Sequence, residues 1–202
     1  YLEYVSKQRE IVIEGQVIKL EPIEVKRLEP APEELTDVTT TVWSFPRRGS
    51  WATHRGDYRG NWAPQIPRAL MLMYTRPGDV VLDPMVGSGT TCVEAKLLGR
   101  NCIGVDINYN AVMLALHRLY YLDEAIKGQA KRGARSLLEY LRGGESSGAR
   151  APADGVAPED VERAWFKVYH GDARNLDEVK DESVDLVATQ PPYFNIVAYG
   201  GE

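Results

Sequence analysis

The residues best suited to chemistry fall into three groups. The first is Asp83-Pro-Met-Val-Gly-Ser-Gly-Thr-Thr91, which follows a short apolar run and opens a helical pattern. Gly87 and Gly89 allow a tight turn and let a ligand approach the backbone with no Cβ in the way. The start of a helix offers unpaired N–H groups to an anion. Asp106 closes the next apolar run, where a carboxylate can accept from both hydroxyls of a ribose. A nicotinamide-dinucleotide fingerprint wants a third glycine where Cys92 stands, and the Gly-x4-Gly-Lys-Ser/Thr pattern of a nucleoside-triphosphate loop is absent. A strand–turn–helix that carries two glycines and no ligand is the plain alternative.

The second group is Asp185-Leu-Val-Ala-Thr-Gln-Pro-Pro-Tyr193. Pro191 and Pro192 fix φ and remove N–H groups, so the carbonyls there are left as acceptors. Gln190 adds an acceptor oxygen and Tyr193 an aromatic face. Acceptors beside a stacking platform suit a planar base that bears an amino group. A polyproline turn is the bland reading. The third group lies between Trp43 and Leu72, where Arg47, Arg48, Arg55, Arg59 and Arg68 face a single acid, Asp57, and Trp43, Trp51 and Trp62 are interleaved. Arginine among aromatics suits phosphate contacts and base stacking; tryptophans that merely anchor a surface loop are the alternative.

Taken together, these motifs resemble those of the S-adenosylmethionine-dependent amino-methyltransferases of nucleic acids, which modify cytosine N-4 or adenine N-6. The family's glycine motif, DPF-x-GSGTT, is matched by DPMVGSGTT with Met85 in place of Phe, and its catalytic (Asp/Asn/Ser)-Pro-Pro-(Tyr/Phe/Trp) by Gln190-Pro191-Pro192-Tyr193. LGRNCIGVDIN is similar to the segment that ends in the ribose-binding acid, and His170-Gly-Asp172-Ala173 to the one whose Asp reaches the cofactor's adenine. Asn61-Trp-Ala-Pro64-Gln-Ile-Pro67 looks like the helix start that closes over the methionine end. The resemblance covers about 43–122 and 165–199. It implies S-adenosylmethionine held by Asp83, Pro84, Met85, Gly87, Ser88, Gly89, Thr90, Asp106, Ile107, Asp172, Ala173 and Pro64. It also implies methyl transfer to a base amine at Gln190, Pro191, Pro192 and Tyr193, with no metal needed; Arg47, Arg48, Arg55 and Arg59, read from the arginine cluster itself, are expected on the nucleic acid. DNA is favoured over RNA as the polymer; an RNA base amino-methyltransferase and a catalytically silent cofactor-binding subunit are the alternatives. Gln190 departs from the pattern: it keeps an acceptor oxygen one methylene further out and cannot be an anion.

These groups need elements to position them. From residue 77 the pattern alternates strand and helix, which implies a parallel sheet with helices on both faces: an α/β, doubly wound, Rossmann-like methyltransferase sheet with a small β-rich N-terminal extension. Strands are expected at 80–83, 101–106, 165–169 and 184–188. Helices are expected from Pro64 to Tyr74, at 91–98, at 110–122 and over 124–141. Residues 10–28 read as a hairpin turning at Glu14-Gly15, with Pro22 confining it to an edge. The expected division is 1–42 as the extension and 43–202 as the methyltransferase domain, with a flexible insertion at about 143–160 rich in Gly, Ala, Ser and Pro. Four strands are found where the family has seven, so the domain is expected to be incomplete at its C-terminus.

Composition sets the outer bounds. At 202 residues, with 44% hydrophobic and 26% charged residues and a net charge of -5, the chain can bury a real core and is neither collagen-like nor wholly disordered. Mild acidity excludes coating a polyanion by bulk charge, so any nucleic-acid contact must come from the local arginine cluster. No apolar run approaches the ~18 residues of a membrane helix. Cys92 and Cys102 are too few for a disulfide scaffold and lack zinc-ligand spacing, so a cytoplasmic location with no membrane partner is expected.

Overall fold

The structure is a computed structural model that describes residues 1–35, 38, 40–141 and 156–191, with the side chains of 132–141 outside the description. The chain begins with a short helix, α1 (Leu2–Lys7), and an antiparallel hairpin, β1 (Glu10–Ile13) and β2 (Gln16–Lys19). The two-residue loop between them puts Glu14 and Gly15 at φ 51° and 75°. That is the left-handed pair whose twist suits a tight hairpin. Ile11, Ile13 and Ile18 face inward and pack with Tyr58, Ala111 and Leu114. A connection containing the 3-10 turn Pro32–Glu34 leads to α2 (Gln65–Tyr74). Pro67 lies in the first turn of α2, where a missing N–H costs no intrahelical bond.

The central sheet follows: β3 (Val80–Asp83), α3 (Thr90–Leu97), β4 (Asn101–Asp106), α4 (Tyr109–Leu141), α5 (Pro158–Arg163), β5 (Phe166–His170) and β6 (Leu186–Val187). Its order is β5-β4-β3-β6, with every pairing parallel. The runs Val-Val-Leu and Cys-Ile-Gly-Val are apolar throughout because parallel strands covered by helices are buried on both faces. The core beneath includes Trp51, Met71, Val81, Val93, Leu98 and Leu119. The chain steps outward from β3 to β4 to β5, then returns to the other side of β3 as β6. That reversal opens a crevice at the carboxyl ends of β3 and β6, between Asp83 and Gln190. No helix among the described residues is long and apolar enough to cross a membrane.

Three features differ from the sequence reading. The two helices expected at 110–122 and 124–141 are one, α4, of 33 residues. Leu119, Leu122 and Ile126 continue one buried stripe across the supposed break. Asp123 bridges to Lys127 one turn on at 2.7 Å, so nothing there stops the helix. The expected flexible insertion at 143–160 overlaps α5, which starts at Pro158 and seats on the α3–β4 turn; Lys96 Nζ donates to the carbonyls of Glu162 and Ala164. The rest of that insertion, residues 143–155, lies outside the described residues. Finally, Cys92 and Cys102 form a disulfide with a Cα–Cα distance of 5.3 Å, because α3 packs its first turns directly on β4.

Candidate active site

The glycine loop is shaped by backbone requirements. Gly87 and Gly89 have φ 51° and 88°, a region that side chains other than glycine enter at a cost. A Cβ at Gly89 would stand 3.0 Å from Ala115 Cβ on α4, and one at Gly87 would stand 3.0 Å from the Tyr58 ring. The loop therefore needs glycine twice, once for helix packing and once to lie beneath an aromatic ring. Gly89 caps α3, so the first N–H groups of that helix have no partner within it, and Thr90 at its start lines the crevice.

Two carboxylates set the loop's position. Asp83 is buried. Its Oδ1 accepts from the Met85 N–H at 3.1 Å, and its Oδ2 accepts from the Thr91 hydroxyl. Burial pushes its carboxyl up to about 6, against the Thr91 and Thr189 hydroxyls that favour the charged form. Asp106, at the end of β4, accepts from the N–H groups of Gly87 and Asn108, each at 2.8 Å. Burial raises its pKa from the usual carboxylate value, and those two N–H groups work against the rise. Among the described residues each of its oxygens has one hydrogen-bond donor, so both retain acceptor capacity. Asp172, beyond β5, is held down to about 2 by the Arg174 guanidinium and N–H.

A cleft of about 220 Å³ joins these parts. Of the residues singled out from sequence, Asp83, Pro84, Met85, Gly87, Ser88, Thr90, Asp106, Ile107, Asp172, Ala173 and Gln190 all line it. Gly89 is just behind it as the helix cap, and Pro64 precedes α2 outside the lining. Pro191 follows Gln190 at the rim, while Pro192 and Tyr193 lie outside the described residues. Sequence reasoning missed Tyr58, whose ring covers Gly87. It passed over Asn61 as an individual residue, although Asn61 Oδ1 accepts from the Thr90 hydroxyl at 2.5 Å. The signal available for both was their place inside the arginine–tryptophan stretch, which drew attention to its charges instead.

That stretch divides. Arg47, Arg55 and Arg59 are exposed. Arg48 is half-buried and donates to the carbonyls of Trp62 and Arg55, so it pins the loop and does not belong with the outward-facing cations. Trp51 is fully buried, as an anchor of the loop. Its indole N–H donates to Glu94 at 2.7 Å; His54 and Arg68 reach the same carboxylate at 2.6 and 2.8 Å. Burial would raise the Glu94 pKa, yet Arg68 and His54 bring it below the ordinary value, whereas burial lowers that of His54.

A family model described as DNA methylase, of the N6/N4 type, matches residues 1–117, more than half of the chain. The chain belongs to that family. This DNA methylase family member is 34% identical over 128 residues to the DNA adenine methyltransferase YhdJ of Escherichia coli, a match that covers 59% of this chain and 42% of the relative. To the type II methyltransferase M2.DpnII of Streptococcus pneumoniae it is 50% identical over 82 residues, 39% of this chain and 29% of the relative. A tRNA (guanine(10)-N2)-dimethyltransferase of Methanothermobacter thermautotrophicus is 27% identical over 146 residues, 72% of this chain and 31% of the relative. The chain thus spans less than half the length of the curated relatives it matches. Membership of a methylase family implies a methyl donor, and the crevice at the sheet's carboxyl edge is where an α/β fold of this topology takes a ligand.

Proposed function

We propose that the donor is S-adenosylmethionine and that the complete protein methylates the exocyclic amine of cytosine N-4 or adenine N-6 in DNA. One observation carries the reading: a single cleft brings together the glycine loop, Asp106, Asp172-Ala173 and Gln190. The residues present fit the donor. Asp106 has spare acceptor capacity on both oxygens for a pair of vicinal hydroxyls. Ile107, 56% exposed, offers an apolar face beside Asp172 for a purine. The start of α3 and the Thr90–Asn61 pair supply polar groups for the amino-acid end.

Bound S-adenosylmethionine supplies an electrophilic methyl group. The chain's own part is to bind, orient and polarise. A base amine is a poor nucleophile because its lone pair is delocalised into the ring. The Gln190 side-chain oxygen and the Pro191 carbonyl accept its two N–H groups, draw the nitrogen towards a tetrahedral shape and hold its lone pair towards the donor side of the cleft. Such positioning and dipole stabilisation account for the rate. Tyr193 stacks on the base, which leaves its duplex to reach the site. Arg47, Arg55 and Arg59 take the phosphates.

Calorimetry with S-adenosylmethionine tests the donor half. Asp106→Ala should lower affinity by at least tenfold, since hydrogen bonds to a charged acceptor are worth about 1.5–3 kcal/mol each. Unchanged affinity would remove the ribose assignment. Mass spectrometry of nucleosides from DNA and RNA, with and without the gene, tests the polymer. The match over 72% of this chain to a tRNA methyltransferase favours RNA as the second reading; a modified base found in RNA alone would establish it.

A further inference from the structure

Arg118, on α4, is 1% exposed and has no place in the chemistry above. Its guanidinium donates to the Ser88 hydroxyl at 2.7 Å and to the Ser88 carbonyl at 3.3 Å, within the glycine loop. It also donates to Asp57 and forms an ion pair with it. Asp57 belongs to a strap, residues 55–59, whose side chains face both outward and inward. Arg55 and Arg59 are exposed, whereas Tyr58 turns in over Gly87. Asn61, just beyond, accepts from Thr90. The strap and Asn61 are thus tied to the glycine loop and the start of α3, and the arginine bridge is a charged tie whose guanidinium is buried.

The charge around that bridge is unbalanced. Arg118 is attracted by Asp57 and repelled by Arg48 and Arg55, and its burial adds to the cost of its charge. A phosphate at Arg55 would offset that repulsion and so stabilise this arrangement of strap and loop. A ligand under Tyr58 that orders the loop favours the same arrangement. Two ligands that stabilise one arrangement must raise each other's affinity, by the same factor in both directions.

We infer that Arg118 is a positioning residue that couples the glycine loop to the 55–59 strap, so that donor binding in the cleft and polynucleotide binding at Arg55 and Arg59 strengthen one another. The inference rests on the donor reading above, and a binding measurement separates the two. The full-length protein is titrated with a fluorescent DNA duplex, by anisotropy, with and without saturating S-adenosylhomocysteine as an unreactive probe. In the parent, the probe should tighten duplex binding about fivefold or more. In Asp57→Asn that gain should shrink below about twofold, while duplex affinity without the probe stays within about threefold, because Arg55 and Arg59 are untouched. Arg118→Lys should behave likewise, since an ammonium lacks the fork that reaches Ser88 and Asp57 together. Asp57 is half-exposed, so Asp57→Asn keeps the test available if Arg118→Lys fails to fold. Folded variants that retain the parental gain would overturn the inference, as would a parent that binds the probe without tightening on the duplex. A parent that does not bind the probe at all would overturn the donor reading, and the coupling with it.

Discussion

The floor of the cleft and the loop that lies over it are both rich in polar and charged residues, and they use them differently. On the floor, carboxylates hold backbone. Asp83 and Asp106 accept N–H groups at positions where the chain must turn, and the glycines beside them are required by φ and by the closeness of Ala115 and Tyr58. In the loop at 47–62, side-chain direction decides. Of its four arginines, Arg48 is half-buried against carbonyls and the other three point to solvent; Trp51 is sealed against Glu94 while Trp62 is half-exposed. Where the backbone sets the requirement, residue type reports the role. Where direction sets it, composition cannot.

The loop's sealed base offers the hardest test of that contrast. Glu94→Ala should cost about 3–5 kcal/mol in urea unfolding, because Arg68 would lose its buried counter-ion and the Trp51 N–H its acceptor. Trypsin should then cut at the loop's exposed arginines sooner than in the parent. A loss below about 1 kcal/mol would mean that the loop is held by packing alone.

On the floor, Asp83 should act on the stability profile between about pH 4 and 6, with a sign opposite to that of Glu34, whose carboxyl Arg27 holds down to about 2. Burial raises its carboxyl from 3.8 to about 6 in the folded chain. Between about pH 4 and 6 the native state holds a proton that the unfolded state has released. The Asp83 contribution to stability therefore falls as pH rises through that window, by about 3 kcal/mol. Asp83→Asn should flatten this part of the curve; an unchanged slope would assign it to another group.

The loop's surface gives the smallest energies and the sharpest division. Replacing Arg55 and Arg59 by Gln should change stability by less than about 0.5 kcal/mol each, and each should lower the salt slope of duplex binding by about 0.9. Arg48→Gln should do the opposite, costing about 1–3 kcal/mol for the Trp62 carbonyl that loses its donor while leaving the slope alone; the Arg55 carbonyl keeps Asn61. If Arg48 lowers the slope as the others do, the division drawn within this loop is wrong.

Much of this is legible in the sequence. The strands at 80–83 and 101–106 stand where the apolar runs place them, and the lining residues from Asp83 to Thr90, with Asp106, Asp172 and Gln190, come from strand ends that a parallel sheet must bring to one edge. The lid was not legible, because nothing local in Tyr58 or Asn61 says that a loop from before the sheet folds back over it. The continuity of α4 through Asp123 was not taken from the sequence, although Leu119, Leu122 and Ile126 keep the helical period there. The inward turn of Arg118 depends on Asp57 and Ser88, which lie 61 and 30 residues away in sequence.

The bond between Cys92 and Cys102 ties the first turns of α3 to β4, directly beneath the glycine loop, and both residues are 0% exposed. Thiol exchange needs an attacking thiolate to reach a sulfur, which cannot happen while α3 lies on β4. The rate at which dithiothreitol reduces this bond is therefore a clock for the transient parting of those two elements, in the sense that amide exchange times a local opening. A molecule that binds across the glycine loop and Asp106 should slow that clock in proportion to its occupancy. The cleft thus carries its own built-in timer, which reads how often its foundations open without a label, a polynucleotide or a turnover assay.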